Sequence, residues 1–391
     1  MDFSLSTEQA ILVATVRQFV KNELRPLEDE VERNSTLAAK DANRVFDKSQ
    51  ALGLYAMNIP RQFGGGGLST IDWMLVEEQF GHTSDILVRR AFGNVYEILL
   101  EGTDEQHQRW LIPSVRGERT FSLAFTEPEA GSDAAAIKTK AARDGDGWLL
   151  NGHKHFISDG HYSDFFVVTA VTDPAAGHRG ISTFIVDKEM PGFTVGKDQP
   201  MMGLRGTSHT ELFFDDMQLG PESLLGEEGQ GLKLALSTLG RVRLAQVGAR
   251  AIGKSCRILD LAISHARERK QFGRSIGDFQ MIQQMLADSA IEINSARLAL
   301  LQTAWQIDQG AEAREQISMV KVQASETLGR VADRAVQIFG GMGYSNDLPI
   351  ERYYRDARIY RIFDGASEIH RSVISRALID DRPGLYDIVA Q

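Results

Sequence analysis

One carboxylate in this chain stands where a carboxylate can do proton chemistry. Asp364 lies in the run RDARIYRIFDGASEIHR, from Arg355 to Arg371, between two helix-like apolar segments and directly before Gly365. Glycine at such a break frees the backbone from the helical path. The side chain can then leave the helix surface and point into a cavity, where a dry carboxylate is a base. Upstream, the glycines of QIFGGMGY, Gln337 to Tyr344, let a backbone approach a ligand closely. TEPEAGSD, Thr126 to Asp133, ends a strand-like run with two hydroxyls, a proline and a glycine. Its hydroxyls and amides suit ring carbonyls and a pyrophosphate; a plain Pro-Gly turn with an Asp cap has the same composition. In RERKQFGRSI, Arg267 to Ile276, an Arg beside an aromatic and a glycine suits pyrophosphate and adenine. A charged helix end capped by glycine also reads this way. His153 and His155 alternate in NGHKHFIS, Asn151 to Ser158, but no Cys or acid completes a metal set nearby.

These motifs together resemble the acyl-CoA dehydrogenases. That family's Thr-Glu-Pro-x-Ala-Gly-Ser-Asp string is matched from Thr126 to Asp133, and its Asn-Gly-x-Lys-x-Trp/Phe-Ile-Thr/Ser strand from Asn151 to Ser158. The Glu-Arg-x-x-Phe-Gly motif falls at Glu268–Gly273, and the glycine turn and the carboxylate follow in family order. Gly203 to Thr210 also matches a family segment, read as structural or CoA-adjacent. The resemblance runs from the first helix to about residue 380. It implies FAD as cofactor, held by Leu123, Thr126, Gly131, Ser132, Phe156, Ser158, Arg269, Gln271, Phe272, Gln280, Gln337, Gly340, Gly341, Ala366 and Glu368. It implies thioester contacts from Ser132, Thr238, Arg241 and Gly365, with Asp364 as the base. Phe156 would cover the flavin ring and Ser158 bond near its N5. Arg269–Phe272 and Gln337–Gly341 would reach FAD across a subunit boundary, so a homotetramer is expected, with an electron-transfer flavoprotein as electron acceptor.

One departure stands out. Most of the family carries Glu where this chain has Asp364, and the minority base position, one before Arg241, is Gly240. Aspartate retreats by roughly 1.5 Å, and a misplacement of that order can cost about 100-fold. Either the substrate is a branched or alicyclic acyl-CoA that brings its α-carbon closer, or the backbone shifts at Asp364–Gly365. Two rivals share the fold: a nitroalkane-type flavin oxidase, which also uses Asp, and a non-catalytic flavin-containing binding protein. Arg89 and Arg90 could pair with a dicarboxylyl substrate; two exposed helix charges is the simpler reading.

The elements that must position these residues change along the chain. Residues 1–118 read as helical, opening at Ser6 with a capping hydroxyl and early acid, with further helix over 70–83 and 94–113. Residues 119–228 carry short β-prone runs separated by Gly, Asp and Asn, with a hairpin turn at Asp144–Gly147. Residues 229–391 return to long helices, the last starting after Gly365 and running to about Ile379. The fold class is α+β, mostly α. By resemblance it is an N-terminal helical domain, a middle β-barrel and a C-terminal four-helix bundle. No Gly-x-Gly-x-x-Gly follows a strand, which disfavours a Rossmann site.

Composition narrows the class. With 42% hydrophobic and 25% charged residues, the 391-residue chain is an ordinary globular sequence. A net charge of −10 disfavours nucleic acid as a partner. No apolar run reaches the roughly 18 residues of a membrane span, so no membrane insertion is expected. The acidic start is unlike a signal or transit peptide. A single cysteine, Cys256, points to a reducing, cytoplasmic setting.

Overall fold

The computed structural model describes residues 4–380; the outer ends of the first and last expected domains, 1–3 and 381–391, lie outside them. The first helix, Thr7–Phe19, starts at a capping box. The Ser6 hydroxyl accepts from the Gln9 amide at 3.1 Å, and the Gln9 side chain accepts from the Ser6 amide at 3.0 Å. Gln9, not the early acid Glu8, closes it. Helices Ala39–Ala51, Thr70–Phe80 and Asp85–Phe92 follow. The expected helix over 94–113 is instead a series of short turns: Glu97–Glu101, Asp104–Gln106, His107–Leu111 and Ile112–Val115. Thr103 starts a fresh capping box inside it, and Pro113 sits in the first turn of the last piece. Such punctuation overrides apolar periodicity.

The middle of the chain is one sheet: β1 (Phe121–Ala124), β2 (Lys140–Asp144), β3 (Gly147–Ser158), β4 (Phe165–Val171), β5 (Ile181–Asp187), β6 (Phe193–Asp198), β7 (His209–Leu219) and β8 (Leu224–Leu225). The β2–β3 hairpin closes where expected, at Asp144 opposite Gly147, with Gly145 at φ +61°. Strand order is β6-β7-β3-β2-β4-β5-β8, with β1 parallel to β4. The expected β-barrel is not closed. β6 pairs only with β7 and β8 only with β5, so the two ends never meet. β8 is two residues long, too short to bridge them. At the centre, β2 and β4 share a single paired position, Lys140 with Val171.

Apolar side chains pack on both faces of this sheet. Phe166, Val168, Phe184 and Phe214 lie in one cluster, and Phe165, Val167 and Ile185 in another with Ile98, Trp110 and Leu111. A larger core unites the N-terminal helices with Arg250–Glu268, Gln280–Asp308, Arg314–Phe339 and Ile350–Ile359. The final helix, Ser367–Ile379, packs against Arg314–Phe339 and starts where the sequence placed it. A π-helical segment, Arg243–Ala249, links the first two C-terminal helices; such segments often sit at functional sites.

Three bonds set the Ile350–Ile359 helix, and so the turn after it. Asp356 accepts from the Leu204 amide at 2.6 Å, which ties the helix to the Gly203–Thr210 segment. Arg355 donates to the Met202 carbonyl at 3.0 Å, and Arg352 pairs with Glu28 at 3.2 Å. The Gly203–Thr210 segment is thus a structural clamp between sheet and helix. No described helix is long and apolar enough to cross a membrane.

Candidate active site

Asp364 sits in the turn between Ile350–Ile359 and Ser367–Ile379. It adopts φ +53°, and Gly365 follows at φ +94°. Two consecutive left-handed residues break the helical path, and for an aspartate that conformation is held by its surroundings. Two side chains grip the Asp364 carbonyl. Arg243 Nε donates to it at 2.7 Å, and His370 Nε2 lies at 3.2 Å. A carbonyl only accepts, so Nε2 carries the His370 proton, and Nδ1 accepts from the Ser318 hydroxyl at 3.1 Å. Burial, with help from Arg243, pushes His370 down to about 4, so it is neutral at physiological pH. The Ser367 amide donates back to the Arg361 carbonyl at 3.0 Å, closing the turn over Asp364–Ala366.

Burial raises the Asp364 carboxyl above the ordinary range, while Arg243, Lys321, Arg89 and Arg250 pull it down. The side chain is half-buried, so ligand can reach it, yet protein surrounds it. Lys321 has no exposed surface and its Nζ has no hydrogen-bond partner. Burial pushes it down to about 8, against the pull of Asp364. Lys321 and Ser318 lie three residues apart on one helix, hence on one face toward this turn.

A second group of predicted residues gathers at the end of β3. Phe156 takes φ +57° and leaves its ring 47% exposed, stacked on His155 at 4.0 Å. The His155 amide donates to the Thr126 carbonyl at 2.9 Å, so Thr126 and Phe156 come together. Ser158 is half-buried, as is Leu123 on β1; Gly131 and Ser132 are exposed. A Cβ added at Gly131 would meet nothing. Beneath them, Lys154 Nζ pairs with Glu127 at 2.8 Å in the interior. Glu127 also accepts from the amides of Lys138, at 2.6 Å, and Thr139, at 3.1 Å. This buried pair joins the Thr126–Asp133 and Asn151–Ser158 motifs into one unit. His153 faces Glu211 at 3.3 Å, and no metal-ligating cluster occurs among the described residues.

A third group stands apart. Arg269, Gln271, Phe272, Gln280, Gln337, Gly340 and Gly341 are all exposed, Phe272 by 93%. His265 stacks on Phe339 at 4.1 Å, which brings the Arg269 and Gln337 segments side by side. The ring contacts of this group stay within it and the adjoining helix ends, His265 on Phe339 and Phe272 on Phe279 at 6.0 Å. Ala366 caps the last helix and Glu368 is exposed in its first turn. Thr238 is buried, and Arg241 is bonded to Glu97 at 2.6 Å. An open glycine backbone and a bare aromatic ring are features a flavin nucleotide fits. Sequence reasoning gave no role to Arg243, His370, Ser318 or Lys321, although His370 lay in the Arg355–Arg371 run and Arg243 stands two residues after Arg241. Arg89, read as exposed, is instead half-buried and paired with Asp159.

Comparison with known proteins gives the setting. The model for the acyl-CoA dehydrogenase N-terminal domain matches residues 6–118, the middle domain 122–217 and the C-terminal domain 229–379. The acryloyl-CoA reductase (NADH) of Anaerotignum propionicum is 38% identical over 386 residues, covering 97% of this chain and 96% of that protein. The human mitochondrial short-chain specific acyl-CoA dehydrogenase is 37% identical over 373 residues, covering 94% and 89%. A chain in a solved structure of the electron transferring flavoprotein study of Acidaminococcus fermentans superposes with a TM-score of 0.91 at 37% identity, covering 97% and 100%. This chain belongs to the acyl-CoA dehydrogenase family.

Proposed function

We propose that this chain desaturates an acyl-CoA thioester at the α,β-bond, with FAD as its cofactor. The observation that carries the reading is Asp364, half-buried on a left-handed break whose carbonyl Arg243 and His370 hold. Asp364 takes the α-proton onto its carboxylate. The amides of Gly365 and Ala366 donate to the thioester oxygen, where negative charge develops. Arg243 and Lys321 support that charge from the far side of the turn. FAD, when bound, accepts the hydride from the β-carbon. Leu123, Thr126, Gly131, Ser132, Phe156 and Ser158 hold its ring side; Ala366 and Glu368 adjoin the base. The exposed set, Arg269 to Gln280 and Gln337 to Gly341, holds the FAD of a neighbouring copy, within a homotetramer of three-domain chains (1–118, 119–228, 229–391). Ser132, Thr238, Arg241 and Gly365 meet the CoA thioester, with Arg241 exchanging its Glu97 partner for ligand.

Electrons leave to an electron-transfer flavoprotein. A cytoplasmic setting fits the single, half-buried Cys256. The shorter base favours substrates whose α-carbon is fixed near the turn, by a branch, by a ring or by a grip on the far end of the chain. The test is anaerobic titration of the flavin-loaded protein with a panel of acyl-CoAs. Flavin absorbance should bleach with the wild type. Asp364→Asn should keep its flavin and bind thioester, yet bleach slower by roughly 100-fold or more. Near-normal bleaching by Asp364→Asn would remove it from the mechanism.

A further inference from the structure

The last helix begins with a side chain that reaches back over its own start. His370 lies in the first turn of Ser367–Ile379, its amide bonded to the Ala366 carbonyl at 3.2 Å. Its Nε2 meets the Asp364 carbonyl, six residues earlier, at 3.2 Å. Arg243 Nε meets the same oxygen at 2.7 Å from the π-helical segment Arg243–Ala249. A carbonyl oxygen has two lone pairs, so two donors from two elements fill it. The imidazole also occupies the space beside Gly365, where a Cβ would lie 2.8 Å from Nε2 and 3.4 Å from Cδ2. His370 and Ser318 are only 3% and 4% exposed, so they stand behind the turn with almost no surface for a ligand to meet.

Hydrogen-bond chemistry fixes the form of this histidine. Nε2 carries the hydrogen, because a carbonyl only accepts. The neutral ring then offers a lone pair at Nδ1, and the Ser318 hydroxyl stands 3.1 Å from it. That hydroxyl also lies 3.1 Å from the Arg314 carbonyl, and its one hydrogen serves one acceptor at a time. Turned to Arg314, the hydroxyl would favour the other tautomer and take the donor away from Asp364. Turned to Nδ1, it selects the tautomer that grips. What is gripped is a peptide that would otherwise turn. Asp364 at φ +53° and Gly365 at φ +94° are joined by a trans bond. Left-handed backbone is uphill for an aspartate and free for a glycine. Fixing the carbonyl fixes the rotation on either side of that peptide, and the carboxylate hangs from one of those sides.

Resting on the function proposed above, we propose that His370, set in one tautomer by Ser318, is a positioning residue for the base. It acts through the Asp364 carbonyl and holds the Asp364–Gly365 peptide in one rotation. That rotation aims the carboxylate. It also sends the Gly365 N–H away from His370 and Arg243, because N–H and C=O point in opposite directions across a trans peptide. No proton passes through the imidazole. A short base has little slack, so an error in this peptide is felt as a loss of rate.

Two substitutions separate this role from simple packing. His370→Gln puts an amide N–H where Nε2 stood and keeps the bond to Asp364. His370→Asn puts its amide where Nδ1 stood, so it meets Ser318 and lets the carbonyl go. The flavin-loaded protein is reduced anaerobically with butyryl- and isobutyryl-CoA, a straight and a branched probe. His370→Asn should slow reduction by roughly 10- to 100-fold, and His370→Gln should recover most of the loss. Flavin content and the Kd for crotonyl-CoA should hold in both, so the loss falls on kcat and not on KM. Nitrogen resonances of isotope-labelled histidine in the wild type should show His370 as a neutral ring with its hydrogen on Nε2. Ser318→Ala should shift that signal toward the other tautomer and slow reduction with it. Equal rates in the Asn and Gln variants, or a wild-type His370 with its hydrogen on Nδ1, overturn the proposal. If the wild type is bleached and the variants keep pace with it, only this inference falls. If no acyl-CoA of the panel bleaches the wild type, the proposed function falls and this inference with it.

Discussion

At the scale of single residues, Asp364 is a carboxyl held where its charged form is disfavoured. Burial raises the Asp364 carboxyl in the folded state. As pH climbs from the unfolded value through the raised folded value, the unfolded chain ionises first, so stability drains away across that window. Asp364→Asn should therefore melt higher than wild type at neutral pH, with the gain shrinking in acid; thermal melts across pH check it. Lys321 carries the opposite sign. Its folded value, about 8, lies below the ordinary lysine value, so stability from this group rises with pH from about 8 to 10.5. Lys321→Met should raise the melting temperature most at pH 7 and least near pH 10. It should also move the acid limb of kcat/KM upward, because Asp364 loses a stabilising cation. An unmoved limb would strip Lys321 of this role. Asp364 was legible in sequence because an acid before a glycine between apolar segments is a local signal. Arg243, Lys321 and His370 were not, since the bonds of Arg243 and His370 span 121 and 52 positions, and Lys321 comes near only because its helix packs against the last one.

At the scale of elements, the turn between Ile350–Ile359 and Ser367–Ile379 is the working part. A Cβ at Gly365 would lie 2.8 Å from His370 Nε2, on a backbone at φ +94°. Gly365→Ala should cost on the order of 1–3 kcal/mol and slow flavin reduction while FAD stays bound. Denaturant melts and flavin content check it, and unchanged stability would mean the turn yields freely. Helix ends and strands followed from caps, periodicity and turn residues, as at Ser6, Gly145 and Ser367. The 94–113 segment did not, because its apolar spacing hid the Thr103 restart and Pro113. Sheet closure was also beyond reach. It depends on whether distant strands meet, and β6 and β8 do not. The Glu127–Lys154 pair likewise needed the fold, although both residues lay inside quoted motifs.

At the scale of the whole molecule, one face of the chain is unusually bare. Phe272, Tyr344 and Met281 are 93%, 86% and 77% exposed, close to the Arg269 and Gln337 segments. Apolar surface of this kind marks contact with a partner. Arg269→Ala should lower flavin occupancy and tetramer content together, since a ligand bound only by the oligomer stabilises it by mass action. Native mass measurement and flavin absorbance read both; a flavin-loaded monomer would end the shared-site account. The proposed shared site rests on family resemblance alone, because a sequence carries no direct record of a second copy.

The open sheet has a further consequence. A sheet that does not close keeps two rims, and an unguarded rim recruits strands from other molecules. Here one rim, β8, is two residues long. The other, β6, exposes Thr194, Lys197 and Asp198 and loses register against β7 after Val195. Both rims are poor templates for growth. Fibre-like addition of further strands along the sheet is thereby discouraged at both rims.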